Sequence, residues 1–123
     1  MTTSRVEPIE SHDIHSERLM RHAEEKLVEG DRLQASEKAW GAVAHRLKSI
    51  TGRRGWEYNT HAQVYRIIKR LAVEQNNRQI TVLFSAAKGF HQNYYIDAMP
   101  LEELNDEMEN VKELLRLLEQ VDS

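Results

Sequence analysis

The residues best suited to chemistry lie in one stretch, NRQITVLFSAAKGFHQNYYIDAM, which spans residues 77–99. His91 is the leading candidate, because a histidine has a pKa near neutrality and a half-buried imidazole can act as a general base. Asn93, Tyr94 and Tyr95 follow it closely. We predict a ligand-binding site at this cluster. The alternative is a core histidine that is hydrogen-bonded to a neighbouring helix.

The same stretch has the period of an amphipathic helix. Apolar and aromatic residues recur every three or four positions, which favours one buried stripe: Ile80, Leu83, Phe84, Ala87, Phe90, His91, Tyr94 and Ala98. We expect a partly open pocket, lined by Trp40 and Tyr94, in which solvent reaches His91. In that arrangement Asn93 faces the pocket. Lys88 is the cation closest to His91 along the chain.

Four further segments are predicted to be helices. The expected order is a first helix from Asp13 or Ser16 to Glu29, a second over 32–50, a loop over 51–59, a third capped by Thr60, and a fifth over 101–121 after Met99-Pro100. Gly30 and Asp31 supply an end and an N-cap between the first two helices. No strand pattern appears. The sequence therefore predicts an all-α, up-and-down bundle of four to five helices over residues 14–122, preceded by a flexible N-terminal arm over 1–13.

Two glycines lie inside predicted helices. Gly41 and Gly89 each cost about 1 kcal/mol relative to alanine at such positions. A close helix crossing would compensate for this cost. We therefore expect the second and fourth helices to touch near these two glycines.

Composition limits the class of protein. The chain has 123 residues and no cysteine, which excludes disulfides, thiolate metal sites and a cysteine nucleophile. The polar start of the chain and the lack of a long apolar run favour a cytoplasmic protein that does not enter a membrane. His12, His15 and His22 recur near the N-terminus, but nothing in the sequence converges on them, so we predict neither a metal nor a cofactor.

Charge is segregated along the chain. Residues 45–78 hold eight basic residues against Glu57 and Glu74, whereas residues 97–123 hold nine acidic residues against Lys112 and Arg116. Such polarity is typical of a phosphate-binding face, and solvated helix faces explain it equally well. The candidate basic patch comprises Arg53, Arg54, Arg66, Lys69 and Arg70.

Three motifs carry a family resemblance. GDRLQASEKAWGAV at 30–43, GWEYNTH at 55–61 and AAKGFHQNYY at 86–95 resemble HEPN-type helical domains, in particular the archaeal paralogous-repeat branch, the PaREP family. The resemblance covers about residues 16–121. It implies a bundle that dimerises, and it adds Trp56 and His61 to His91 and its neighbours as motif residues.

The resemblance also bears on activity. Many members of the wider superfamily are ribonucleases, or partners in toxin–antitoxin pairs, whose active site is an arginine followed after four to six residues by a histidine. With His91 as that histidine, the arginine position falls on Phe84, Ser85 or Ala86, none of which is basic. A scissile phosphate needs a cation to neutralise its developing charge.

We therefore predict a non-catalytic, homodimeric module that binds a partner protein, such as one encoded nearby, or a nucleotide-type ligand at the His91 cluster. The alternative is an RNA-directed enzyme or toxin–antitoxin component. It would use His91 as the base and Lys88, or an arginine at 53–54, as the cation. A third interpretation is an interaction module whose polar cluster is purely structural.

Overall fold

The computed structural model describes residues 9–121 and consists of five α-helices. Their bounds are α1 Ile9–Glu29, α2 Arg32–Arg54, α3 His61–Glu74, α4 Gln79–Ile96 and α5 Leu101–Glu119. The described residues contain no strand. The prediction of an all-α bundle of up to five helices is confirmed.

The turns between helices follow local chemistry. Gly30 adopts a positive φ of 80° directly after α1, and the Asp31 side chain then accepts a hydrogen bond from the Gln34 amide. Thr60 and Gln63 form a reciprocal capping box at the start of α3, which satisfies two backbone donors that the helix leaves unpaired. Pro100 directly precedes α5. Each of these ends was expected from the sequence.

The helices pack around a continuous apolar core. The α1–α2 pair forms the most extensive contact, while α2 also packs on α4 and α5. Among the described helices, α3 comes close to α4 alone. The largest fully buried side chains are Phe90, Leu47, Ile50, Ile68, Leu71, Ile80, Leu104, Met108, Leu114 and Leu118.

The N-terminal boundary differs from the prediction. Residues 1–8 of the expected arm lie outside the described residues, but α1 begins at Ile9 rather than at Asp13 or Ser16. The reason is a tertiary contact between α1 and α2. Asp13 forms ion pairs with Arg46 and Arg53 of α2 at 2.7 and 2.6 Å, so the first turns of α1 are held against the bundle.

The expected loop over 51–59 is also shorter than predicted. The second helix continues through Gly52 to Arg54 and ends at Gly55, whose φ is 68°. Thr51 is buried, and Arg53 is tied to Asp13. These contacts outweigh the cost of about 1 kcal/mol that a helical glycine brings.

The second and fourth helices touch close to the two helical glycines, through Trp40 and His91, but the glycines themselves face other neighbours. A Cβ atom on Gly41 would lie 3.1 Å from Leu19 Cδ1, so this glycine accommodates α1 and not α4. A Cβ atom on Gly89 would lie 3.6 Å from Met99 Cε, at the turn that follows α4. The α2–α4 contact is made by other residues.

No helix in the described range 9–121 combines the length and the apolar character needed to cross a membrane.

Candidate functional site

The predicted site lies where the first half of α2 meets the second half of α4. The two helices run antiparallel, as shown by three contacts: Arg32 with Asp97, Ser36 with Asn93, and Trp40 with His91. Antiparallel packing brings residues far apart in sequence onto one surface. Of the predicted ligand-binding residues, it brings together Trp40, His91, Asn93, Tyr94 and Tyr95.

Four rings form a continuous series on this surface, which we name the aromatic ridge: Trp40, His91, Tyr94 and Tyr95. Trp40 and His91 are stacked, with centroids 4.6 Å apart and an interplanar angle of 29°. His91 meets Tyr95 edge to face at 5.6 Å, and Tyr95 meets Tyr94 edge to face at 5.2 Å. Such pairs contribute about 0.5–1.5 kcal/mol each beyond their buried area.

The ridge rests on the core through Trp40 and reaches solvent through Tyr95. Trp40 contacts the buried ring of Phe84, with centroids 6.2 Å apart. Tyr95 is 73% exposed and the adjacent Ile96 is 67% exposed. The ridge is therefore anchored from below and presents apolar surface outward.

The contacts of the His91 side chain are aromatic. Within the described residues, the His91 side chain contacts the rings of Trp40 and Tyr95 and makes no hydrogen bond or ion pair. In catalytic histidines a hydrogen bond from one ring nitrogen sets the tautomer and leaves the other nitrogen to accept the proton. Neither Asn93 nor a tyrosine hydroxyl supplies that contact.

The Asn93 side chain is buried rather than open to solvent. It is only 2% exposed. Its Nδ2 donates to Ser36 Oγ at 2.9 Å, and its Oδ1 accepts from the backbone N–H of Met99 at 2.7 Å. Asn93 therefore joins α4 to α2 and fixes the turn after α4, beneath the ridge. Buried polar groups are almost always paired in this way.

The other predicted site residues lie elsewhere. His61 is exposed in the first turn of α3 and makes no ring contact with the ridge. Lys88 places its Nζ 6.0 Å from the centroid of the Tyr65 ring on α3. The arginines at 53–54 follow Trp40 by more than twelve positions, which is about 20 Å along one helix.

The predicted basic patch is divided in two. Arg53 is bound by Asp13, and Arg54 pairs with Glu74 at 2.5 Å. The carboxyl pKa of Glu74 is lowered by the hydrogen bond from Arg54. The remaining members lie on the exposed side of α3: Arg66, Lys69 and Arg70.

Trp56 belongs to neither group. The guanidinium groups of Arg70 and Arg54 lie 4.0 and 4.9 Å from its ring centroid, so it connects the end of α2 to α3. Nearby Tyr58 is largely buried, which raises its pKa to about 12. Both aromatic residues are structural parts of this corner.

Sequence reasoning missed a second polar cluster, between α1 and α2. Asp13 bridges Arg46 and Arg53, and His12 Nδ1 lies 2.8 Å from His45 Nδ1. His15 also approaches the His45 ring, with centroids 5.3 Å apart. The described residues contain no group of three or more side chains suited to holding a metal ion. Because residues 1–13 were assigned to a flexible arm, contacts of His12 and Asp13 with α2 were not expected.

Comparisons with known proteins agree with this architecture. Residues 12–115 match the model of the archaeal PaREP1/PaREP8 family. The crystal structure of a protein from Sulfolobus solfataricus superposes with a TM-score of 0.76 at 21% sequence identity, covering 89% of this chain and 97% of that chain. At this identity the likeness concerns the fold alone. No curated protein matches the chain. The resemblance to the PaREP branch is confirmed, while the wider resemblance to HEPN domains stays a prediction.

Proposed function

This chain belongs to the archaeal PaREP1/PaREP8 family, and we propose that it is a non-catalytic interaction module that forms a homodimer through the aromatic ridge. The observation that carries the proposal is the ridge itself, four rings in contact that include the exposed Tyr95. Aromatic side chains of this kind are enriched at protein interfaces and often dominate their binding energy.

The ridge suits an interface because its rings are already ordered. Each ring rests on its neighbour, and Trp40 rests on the core through Phe84. An interface that is ordered before binding loses little side-chain entropy on association. Leu33 and Ile96, both exposed, extend the apolar surface on the two helices. In a two-fold dimer, each copy would contribute this same surface to the interface.

The surroundings of His91 support the non-catalytic part of the proposal. Its ring contacts are aromatic, and its nearest cation in sequence, Lys88, is directed towards Tyr65. A ribonuclease needs a cation at the scissile phosphate as well as a base. Within one copy, the described residues do not place such a pair at His91.

Sedimentation equilibrium of the full chain tests the homodimer. We expect a mass of about twice the 14.4 kDa of one chain, and a shift to the monomer in Tyr95→Arg, because the charge would be buried at the interface. Tyr65→Arg is the matched control, since Tyr65 is an exposed tyrosine, at 44%, on a different helix. A monomer at every concentration, or equal effects of both variants, would contradict the proposal.

An RNA-cleavage assay tests the non-catalytic part separately. We expect no cleavage above background in the presence or absence of divalent cations. Cleavage that disappears in His91→Ala but persists in His61→Ala would establish the ribonuclease alternative. His61 serves as the control because it is an exposed histidine outside the ridge.

A second candidate function is association with single-stranded nucleic acid through α3. The observation that favours it is Tyr65, which is flanked by Lys69 Nζ at 5.8 Å and Lys88 Nζ at 6.0 Å, beside the exposed Arg66 and Arg70. Cations that follow a phosphate backbone, next to a ring on which a base can stack, are typical of such surfaces.

Fluorescence anisotropy with a labelled single-stranded RNA tests this candidate. Binding should weaken with added salt and fall in Lys69→Ala, whereas Arg18→Ala on the exposed side of α1 should bind as wild type does. Equal binding by all three proteins would exclude the α3 surface.

A further inference from the structure

A cleft lies between α1 and α5, away from the aromatic ridge. Its volume is about 330 Å³, and its walls include Met20 and Arg21 of α1, Arg46 of α2, and Lys112 and Leu115 of α5. We name it the Arg46 cleft. A volume of this size is at the lower end of the range for small-molecule sites.

Arg46 is the unusual residue of this cleft. Its side chain is only 12% exposed, and its Nη1 donates to Asp13 Oδ1 at 2.7 Å. Its Nη2 lies 3.8 Å from Glu119 Oε1, which is beyond hydrogen-bond distance. Its Nε is buried and has no hydrogen-bond partner, alone among the buried side-chain nitrogen and oxygen atoms of the described residues.

An unpaired buried donor on a charged group is costly. Leaving such a group without a partner costs about 1–3 kcal/mol, and more for a charged group. Native proteins rarely keep that cost unless a water, an ion or a functional role accounts for it. In Arg46 the groups that lack a close partner are Nε and Nη2, which together form one edge of the guanidinium. That edge is the one that grips two oxygens of a carboxylate or phosphate at once.

We propose that the Arg46 cleft binds a small oxyanion, a carboxylate or a phosphate, on the Nε–Nη2 edge of Arg46. Entry requires Glu119 to move aside. Its side chain is 54% exposed and holds Arg46 only at 3.8 Å, so the displacement breaks no hydrogen bond to Arg46. The bound oxyanion then replaces the 3.8 Å contact between Arg46 and Glu119 by two charge-assisted hydrogen bonds.

The charges around the cleft limit the size of the anion. Arg21 stands on its wall and makes no ion pair within residues 11–121, so it is available to a ligand. Lys112 and Arg116 are already paired with Glu109 and Glu113. Glu17 and Glu24 also line the cleft and would repel a long polyanion. The site therefore fits one oxyanion group with a short apolar part against Met20 and Leu115.

The direct test is an NMR titration that follows the Arg46 Nε–H signal of the full chain. The probes are inorganic phosphate, acetate and hexanoate at constant ionic strength. We expect this signal to shift with at least one probe. Tighter binding of hexanoate than acetate would identify an apolar carboxylate as the ligand class, and a response to phosphate alone would identify a phosphate.

Variants separate the cleft from general charge effects. Arg46→Lys keeps the charge but removes the two-pronged edge, and should abolish binding. Arg21→Ala should weaken binding about tenfold, the equivalent of one charge-assisted hydrogen bond. If Arg46→Lys does not fold, Arg21→Ala is the variant that tests binding in the cleft. Arg18→Ala, also on α1 but outside the cleft, should bind as wild type does.

Two results would overturn the proposal. One is the absence of any Arg46 Nε–H shift with all three probes. The other is equal weakening in Arg21→Ala and Arg18→Ala, which would indicate non-specific attraction. Glu119→Gln identifies one cause of the first result. If Glu119 itself fills the edge in solution, this variant will shift the Nε–H signal without added anion, and the probes will have no effect.

Discussion

His91 and Arg46 are both able to carry positive charge, yet their surroundings are opposites. His91 is held by rings and has no polar partner within the described residues. Arg46 is held by Asp13, in a cluster that also contains Arg53 and Glu119. The ridge is thus an apolar surface with a histidine in it, and the cleft is a charged site with one unfilled edge. The residue types alone did not show that His91 lies on the apolar surface and Arg46 in the charged site.

The largest effect should come from removing the charge that holds Arg46. Asp13→Asn should lower the free energy of unfolding at neutral pH by about 3 kcal/mol, because a buried arginine loses its close counter-charge. Urea denaturation measures the change. Glu113→Gln is the control, since the exposed Glu113–Arg116 pair is screened by solvent and should contribute little.

The stabilisation that Asp13 provides should depend on pH. Burial tends to raise the pKa of Asp13, but hydrogen bonds from Ser49 and Arg53 and the charges of Arg46 and Arg53 outweigh it, so the pKa lies below its usual 3.8. A carboxyl with a lowered pKa stabilises the folded state above the unfolded pKa and loses that effect as pH falls through the folded value. The difference between wild type and Asp13→Asn should therefore shrink below about pH 4. A constant difference would contradict the ion-pair explanation.

Asn93→Ala should give the next largest effect, about 2 kcal/mol of destabilisation, because it strands the Met99 amide and removes a bond to Ser36. Thermal or chemical unfolding measures it, with the exposed neighbour Gln92→Ala as control. Equal effects in both variants would return Asn93 to the ligand-binding role predicted from the sequence.

A smaller effect is expected at His91. His91→Ala should cost about 1 kcal/mol through lost ring contacts, while His91→Phe should restore most of it, because the described contacts of the imidazole are aromatic. Unfolding of both variants near neutral pH measures this. Equal losses would show that His91 uses its nitrogen atoms after all, and would weaken the contrast with Arg46.

The smallest effect should be favourable. Gly89→Ala in the ridge helix should raise stability by up to about 1 kcal/mol, because its Cβ would meet Met99 Cε at an ordinary 3.6 Å. Gly41→Ala should gain less, because its Cβ would approach Leu19 Cδ1 to 3.1 Å. Thermal midpoints that fall in the order opposite to this would show that Gly89, and not Gly41, permits a close approach.

The features that local chemistry decides were predictable from sequence. Asp31 and Thr60 act within three residues of themselves, so their caps could be read directly. The apolar period of α4 likewise placed Phe84 and Phe90 in the core. Trp40 and His91 were expected in one pocket, but their stacking depends on how α2 and α4 pack together.

The features that depend on three helices were not predictable. Nothing near Arg46 in sequence indicates that Asp13 and Glu119 will meet it, because they lie on α1 and α5. For the same reason the first turns of α1 looked like an arm. The inward direction of Asn93 was missed because its buried partners, Ser36 and the Met99 amide, become neighbours only in the folded chain.

The placement of α3 has a consequence for motion. Among the described helices its backbone comes close only to that of α4. Its C-terminal end is tied to the end of α2 by the Arg54–Glu74 ion pair and by Arg70 against Trp56. Segments with few neighbours open at a lower free energy than the rest of a protein. Amide hydrogens of α3 should therefore exchange with deuterium before those of the α1–α2 pair, as one cooperative unit. Arg54→Ala should accelerate that exchange while leaving the exchange of α1 amides unchanged. The Arg54–Glu74 ion pair would then set how often α3 opens.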